Sequence, residues 1–234
     1  MSKTVDEIVA FIKDEAHVSN GGVVLGMSGG IDSAVCAALA RRALQPHRIT
    51  AVMMPCHISM DSRAEECAKE LKINREYVGI MEIFDEFISR APIETSLGQR
   101  NLQARIRMCV LYGIANDREA LVMGTTNKSE WEVGYFTKFG DGACDIEPII
   151  HLYKTQVYEI ARELGVPLGI INKAPSADLW PGQTDEEEMG VTYKVLDEVL
   201  QGRVDGATAN ELAAIRTRRA LTEHKRRMPR GVKG

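Results

Sequence analysis

Residues 26–33 read Gly26-Met27-Ser28-Gly29-Gly30-Ile31-Asp32-Ser33, and their types and spacing could hold phosphate. Gly29 and Gly30 leave backbone N–H groups open to a close-lying anion. Ser28 and Ser33 add hydroxyl donors, and a helix opening behind the turn adds partial positive charge. Asp32 is out of character in that company. A carboxylate beside phosphates is repulsive unless a cation lies between them, so Asp32 predicts Mg²⁺ bridging it to a nucleotide. Two familiar phosphate loops do not match. G-x-G-x-x-G fails on the glycine positions, and G-x-x-x-x-G-K-[S/T] fails because Ile31, not lysine, follows Gly30.

Such a loop works on a strand-to-helix turn, and the flanking residues supply one. Gly21-Gly22 breaks into the apolar run Val23-Val24-Leu25, which reads as a buried strand, and an alanine-rich helix follows over residues 33–44. A second strand is expected over 49–54, stopped by Pro55, then a helix over 61–71 with Asp61 as N-cap. A short strand at 76–78, a helix at 81–88, a longer helix at 101–116 with Ile106, Val110 and Ile114 on one side, and a strand at 121–124 continue the rhythm. Ahead of the loop, Thr4-Val5-Asp6-Glu7 has the form of a capping box, opening a helix with Ile8, Val9, Phe11 and Ile12 inward. The alternation predicts an α/β fold, a Rossmann-like parallel sheet with helices on both faces. Beyond residue 125 glycines and polar residues dominate, followed by helices at 153–164, near 185–200 and at 208–220. The whole chain, 1–234, reads as a single domain, with an α/β core over about 21–180 and a helical C-terminal part with a basic tail over about 181–234.

Composition narrows the class. At 44% hydrophobic and 26% charged, the 234 residues can build a core without staples. A net charge of -4 gives no general case for nucleic-acid binding. Cys36, Cys56, Cys67, Cys109 and Cys144 form an odd, scattered set that suits a reducing cytoplasm and argues against a disulfide framework or structural zinc. Cys36 and Cys109 lie in apolar helical patterns and are expected to be small core residues. The N-terminus does not read as a signal peptide, and no apolar run approaches the roughly 20 residues of a membrane span.

The segments downstream of the loop carry the rest of the reading. Residues 101–108 open a helix bearing Arg105 and Arg107, which at i, i+2 point to different faces, one free for an anion and the other for structural contacts. Then come Gly124-Thr125-Thr126-Asn127-Lys128-Ser129-Glu130, Thr137-Lys138-Phe139-Gly140-Asp141-Gly142, Asp145, Lys154, Lys173-Ala174-Pro175-Ser176-Ala177-Asp178-Leu179, Gln183-Thr184-Asp185-Glu186 and His224-Lys225-Arg226. The S-G-G-x-D-S loop resembles that of the ATP pyrophosphatases, which cleave ATP between its α and β phosphates. With the downstream segments in this order, the chain from about Gly21 to Pro229 resembles the ammonia-dependent NAD⁺ synthetases.

That resemblance implies a two-step ligase, the last step of NAD⁺ biosynthesis. The nicotinate carboxylate of deamido-NAD⁺ attacks the α-phosphate of ATP, and ammonia then displaces AMP. It implies an ATP site of residues 26–33, Thr125, Lys154 and Ser176, with Asp32 and Glu130 as Mg²⁺ ligands. Arg105, Lys138, Asp145, His224 and Lys225 map to deamido-NAD⁺ contacts, and Asp141 maps to the ammonia-binding region. Asp32, Glu130, Lys154 and Asp141 make up the implied catalytic set. The family is homodimeric, with the dinucleotide site at the subunit interface, and the helix from Asn101 is the candidate for interface burial. Ser176 stands where many members have threonine, and Thr125-Thr126-Asn127-Lys128-Ser129-Glu130 departs from the commoner T-D-H-x-x-E, so Asn127 and Lys128 receive no role.

Taken singly, several of these residues have plainer readings. Lys138, Lys154 and Asp145 could each be ordinary surface charges without their flanking motifs. His17, His47, His57 and His151 match no motif and read as surface or loop residues, and Trp131 and Trp180 read as packing residues ahead of base-stacking ones. Residues 216–234 hold eight Lys or Arg against one Glu, expected to be a mobile tail closing over the dinucleotide phosphates rather than a nucleic-acid arm. Related adenylating enzymes are the nearest rivals. Thiolation would call for reactive cysteines, GMP synthesis for other substrate motifs, and neither is seen. A regulator that has lost catalysis would not keep Asp32, Glu130, Lys138 and Lys154. Glutamine-dependent relatives carry an additional amidase domain with a nucleophilic cysteine, for which 234 residues leave no room, so free ammonia is the expected nitrogen source unless a separate glutaminase subunit delivers it.

Overall fold

The computed structural model describes residues 2–56, 62–176, 184–228 and 231. The chain opens with α1 (Lys3–Glu15), started by Ser2, whose extended backbone lets its hydroxyl accept from the Val5 N–H at 3.4 Å. Thr4, expected as the cap, already lies inside the first turn. The expected inward face also needs correction. Val5, Ile8 and Ile12 form the buried stripe, while Phe11 falls to its side and is 39% exposed.

β1 (Val23–Gly26) leads through the glycine loop into α2 (Ile31–Ala43), then β2 (Ile49–Met53), α3 (Ser62–Glu70), β3 (Asn74–Tyr77), α4 (Met81–Arg90), α5 (Ser96–Asp117) and β4 (Leu121–Val122). Asp61, expected to cap α3, lies outside the described residues, as do His57 and Trp180. α5 begins five residues before the expected start at residue 101, capped by Thr95, which accepts from the Gly98 N–H. β4 is shorter than expected, with Met123 making an isolated bridge to Ile146. In the C-terminal half follow α6 (Lys128–Val133), α7 (Lys154–Leu164), α8 (Leu168–Ile171), α9 (Asp185–Met189), α10 (Tyr193–Leu200) and α11 (Ala209–Leu221), and a 3₁₀ turn at Glu223–Arg226.

The four strands make one parallel sheet in the order β3-β2-β1-β4. Successive side chains feed opposite faces. Val23, Leu25, Ala51 and Met53 join one core with residues of α1, α2 and α7, whereas Val24, Val52 and Val122 pack with Ile106, Leu111 and Ala115 of α5. Helices therefore cover both faces, and α2 is buried on nearly every side because its alanines let it lie close to the sheet, α1 and α7. A third cluster (Val133, Met189, Val191, Tyr193, Leu196, Ile215) ties α6 to α9, α10 and α11. Cys36 is buried as expected, but Cys109 is exposed. It stands two residues, about 200° of helical rotation, from the inward-facing Leu111.

Candidate active site

β1 has β2 on one side and β4 on the other, so the strand order reverses beside it, and in such sheets ligands enter outside the carboxyl ends of the strands at that reversal. The glycine loop sits at that point. Met27 and Ile31 are buried anchors, and the Met27 N–H donates to the Val52 carbonyl at 2.9 Å. Gly29 adopts φ +80, which a side chain would resist. The Ser28 hydroxyl accepts from the Gly30 N–H at 3.2 Å, and the Ser33 hydroxyl donates to the Gly30 carbonyl at 2.9 Å. Side chains thus hold the loop in shape before any ligand arrives.

Asp32 projects from the first turn of α2 into a buried ionic centre. The Lys154 ammonium, at the start of α7 and 2% exposed, donates to Asp32 Oδ2 at 2.6 Å and to Glu130 Oε1 at 3.0 Å. Burial opposes the charge on Lys154, but Asp32 and then Glu130 outweigh it and hold its pKa well above the ordinary lysine range. Burial pushes Glu130 upward, with Lys154 opposing and Asp32 and Asp185 adding to the rise.

Local structure explains why these three groups meet. Asn127, fully buried, caps α6 in a reciprocal box: its Oδ1 accepts from the Glu130 N–H at 3.0 Å, and Glu130 Oε2 accepts from the Asn127 N–H at 3.3 Å. Its Nδ2 donates to Asp32 Oδ1 at 3.0 Å, so this residue aims both carboxylates at once. Lys128 lies over the Tyr153 ring, 4.5 Å from its centroid. Lys154 is set in place by Ser129, whose hydroxyl accepts from the Lys154 N–H at 2.9 Å and donates to the buried Asp197. Asp197 also accepts from the Thr155 N–H. The Tyr193 hydroxyl joins Glu130 at 3.3 Å to Asp185 at 3.0 Å. Sequence reasoning did not single out Ser129, Tyr193 or Asp197; N-cap chemistry at Asn127 was the one available signal.

The cations mapped to the dinucleotide form a second group. Arg105 donates to the Lys138 carbonyl, and Lys138 donates to the carbonyls of His224 at 2.5 Å and Arg227 at 3.1 Å. Lys225 donates to the carbonyls of Gly134 and Phe136, so the C-terminal turn is docked on the 134–138 loop. A groove of about 380 Å³ lies between Lys138, Leu221, Glu223, His224, Arg227 and Met228. Arg107, on the other face of α5, donates to the Met54 carbonyl and is structural. Trp131 stacks on Phe136 with centroids 5.0 Å apart, a packing role. His17, His47 and His151 are exposed.

Asp145 is held elsewhere, accepting from the Tyr112 hydroxyl at 3.2 Å and the Val122 N–H at 2.7 Å. Asp141 accepts from the Thr137 N–H at 2.9 Å and closes the turn that follows Lys138. Thr125 and Ser176 are half-buried, Thr125 directly after Gly124. Beneath Gly124 lies a carboxylate that the sequence reading missed. A β-carbon on Gly124 would meet the Glu147 carboxyl at 2.5 Å, so any larger residue there would force that side chain to shift. Glu147 Oε2 accepts from the Thr126 N–H, while its buried Oε1 has no hydrogen-bond partner among the described residues. Burial pushes this carboxyl up to about 7.

The donor set suits Mg²⁺, a hard cation that takes one or two carboxylates and completes its shell with phosphates and water. Among the described residues no three His, Cys, Asp or Glu side chains form a metal cage. Asp32 and Glu130 present two carboxylates around the Lys154 ammonium, which matches the one or two carboxylates such an ion takes. Asp185, buried beside this centre, adds a third carboxyl group, joined to Glu130 through the Tyr193 hydroxyl.

A parallel sheet with a phosphate loop at the strand-order switch, beside paired carboxylates and a lysine, defines an ATP-using enzyme of the pyrophosphatase fold. The NAD synthase family model matches residues 4–229, and the chain belongs to that family. It is 42% identical to the NH(3)-dependent NAD(+) synthetase of Thermococcus sibiricus, across 98% of this chain and 96% of that protein. Among solved structures, the NMN synthetase of Francisella tularensis superposes with a TM-score of 0.93 at 38% identity, covering 99% of this chain and 98% of that one. The NH3-dependent NAD synthetase of Campylobacter jejuni does so with a TM-score of 0.84 at 32% identity, covering all of both chains.

Proposed function

We propose that this chain catalyses the ATP-dependent amidation of deamido-NAD⁺ to NAD⁺ with ammonia, releasing AMP and pyrophosphate. The observation that carries the reading is the Asp32–Lys154–Glu130 centre beside the glycine loop. The nicotinate carboxylate oxygen bonds to the α-phosphorus as the bond to the β-phosphate oxygen breaks. Ammonia nitrogen then adds to the acyl carbon, AMP leaves with the C–O electron pair, and a proton is lost.

The loop N–H groups, with Ser28 and Ser33, hold the phosphates that depart as pyrophosphate, and Lys154 neutralises their charge. Thr125 and Ser176 contribute hydroxyl donors to the same triphosphate. Mg²⁺, held by Asp32 and Glu130, would supply further charge neutralisation there. Arg105, Lys138, His224 and Lys225 hold the dinucleotide, Asp145 sets the strand end beside it, and Asp141 stands near the incoming ammonia as a proton acceptor.

Two further parts of the reading have their own support. Tyr77, Met81, Ile83, Phe87 and Leu97 are exposed along β3, α4 and the start of α5, an apolar face that suits a homodimer interface. Light scattering on purified protein tests it, and a monomer at micromolar concentration would count against it. All five cysteines are unpaired and no described helix is long and apolar enough to cross a membrane, which suits the cytoplasm.

The test of the main reading is pyrophosphate release that requires deamido-NAD⁺, with NAD⁺ formed when ammonia is added. Release indifferent to deamido-NAD⁺ refutes it. The likeness to an NMN synthetase favours a second reading, amidation of the mononucleotide. The ratio of kcat/KM for nicotinic acid mononucleotide and for deamido-NAD⁺ decides between them.

A further inference from the structure

In this structure Lys154 occupies the two carboxylates that would ligate Mg²⁺. Its Nζ lies 2.6 Å from Asp32 Oδ2 and 3.0 Å from Glu130 Oε1, and 4.9 Å from the Tyr193 ring centroid, in a setting that leaves the side chain 2% exposed. A divalent ion bound to those same oxygens would sit within a few ångströms of the ammonium, and the two cations repel each other in this buried setting. The surroundings also set three carboxyl groups, those of Asp32, Glu130 and Asp185, against this one ammonium. Asp185, 4% exposed, supplies the third of them and is joined to Glu130 through the Tyr193 hydroxyl.

We propose that Lys154 is the resting occupant of the metal site, displaced only when nucleotide phosphates arrive to receive its ammonium, and that Asp185 supplies the surplus charge that then favours a divalent ion. The inference deepens the Mg²⁺ reading above and rests on it. A metal entering alone would leave Lys154 buried without its partners, the costly way to break a buried ion pair. A triphosphate changes that balance, because its oxygens accept the displaced ammonium. Metal and nucleotide therefore bind cooperatively, and the coupling is reciprocal.

Mn²⁺ titration of the full chain, read by the electron paramagnetic resonance of free Mn²⁺, tests this without turnover. For the wild type, a non-hydrolysable ATP analogue should tighten Mn²⁺ binding by about 100-fold. Lys154→Met should bind Mn²⁺ without nucleotide at least about tenfold more tightly than wild type, and adding Asp185→Asn should remove most of that gain. Wild-type protein that binds Mn²⁺ alone as tightly as Lys154→Met overturns the proposal, as does a folded Lys154→Met with no gain. If Lys154→Met does not fold alone, recovery of its circular dichroism on adding Mn²⁺ supports the proposal. If Mn²⁺ does not restore it, Lys154→Gln, which keeps hydrogen bonds to the carboxylates, decides: a gain supports and no gain overturns. Failure of the underlying Mg²⁺ reading looks different, as no Mn²⁺ binding by wild type even with the analogue.

Discussion

The two charged regions of this protein are built on opposite principles. At the Asp32–Lys154–Glu130 centre, charge meets charge in a nearly dry setting, and Asn127, Ser129, Tyr193 and Asp197 hold the geometry with neutral and ionic hydrogen bonds. Around Arg105, Lys138 and Lys225, the cations have no carboxylate in their hydrogen bonds among the described residues and rest on backbone carbonyls of the 134–138 loop and the C-terminal turn. A buried pair is expensive to disturb because either partner alone is stranded out of water. A cation on a carbonyl at the surface exchanges that partner for a phosphate or water with little cost. Under the proposed function, the first region would stabilise charge that develops during reaction, and the second would receive a ligand and let it go.

The contrast can be broken most easily at Asp32. Asp32→Asn should lower the rate of NAD⁺ formation by about 10²–10³-fold, as loss of one preorganised electrostatic partner does, with the helical circular dichroism retained. A fall of under tenfold would place the chemistry elsewhere. At the basic region, Lys138→Ala or Lys225→Ala should raise the KM for deamido-NAD⁺ by about tenfold while changing kcat little. If kcat falls as far as in Asp32→Asn, the division between a reacting and a binding region does not hold.

Glu147 sharpens the contrast, since it is a buried carboxyl group with no cation bonded to it among the described residues. Its pKa is raised from 4.5 to about 7, so the folded state binds more protons than the unfolded state within that window. Stability contributed by its protonated form is full below pH 4.5 and lost as pH rises through about 7. Glu147→Gln stays neutral and should gain about 1–3 kcal/mol on wild type between pH 5 and pH 8, measured by urea unfolding at both. An equal difference at the two pH values would show that Glu147 is not held protonated. The smallest effect is expected at Thr208, whose hydroxyl accepts from the Glu211 N–H to cap α11. Thr208→Ala should cost about 1 kcal/mol, seen as faster hydrogen exchange in α11 with the sheet unchanged.

Much of this was legible in the chain because the signals are local. Val23-Val24-Leu25 between glycines reads as a strand at any distance from its partners, and the S-G-G-x-D-S loop carries its chemistry within a few residues. Errors arose where local patterns offered two choices. Thr4-Val5-Asp6-Glu7 satisfies the capping-box spacing, yet Ser2 is better placed to cap. Cys109 sits among apolar neighbours, but the direction of α5 turns it to solvent. β3 spans Asn74–Tyr77, a mostly polar, exposed edge strand, and offers little pattern to read.

From the sequence alone came the phosphate loop, the parallel α/β class and the family, since each depends on residue type and order along a short stretch. Only the tertiary structure decided which charges meet. Asp32, Glu130 and Lys154 are separated by as many as 122 positions, and no local rule says that they share one ammonium rather than three solvent shells. The reason is physical: burial makes an unpaired charge too costly to keep, so the fold that buries these groups also dictates their partners.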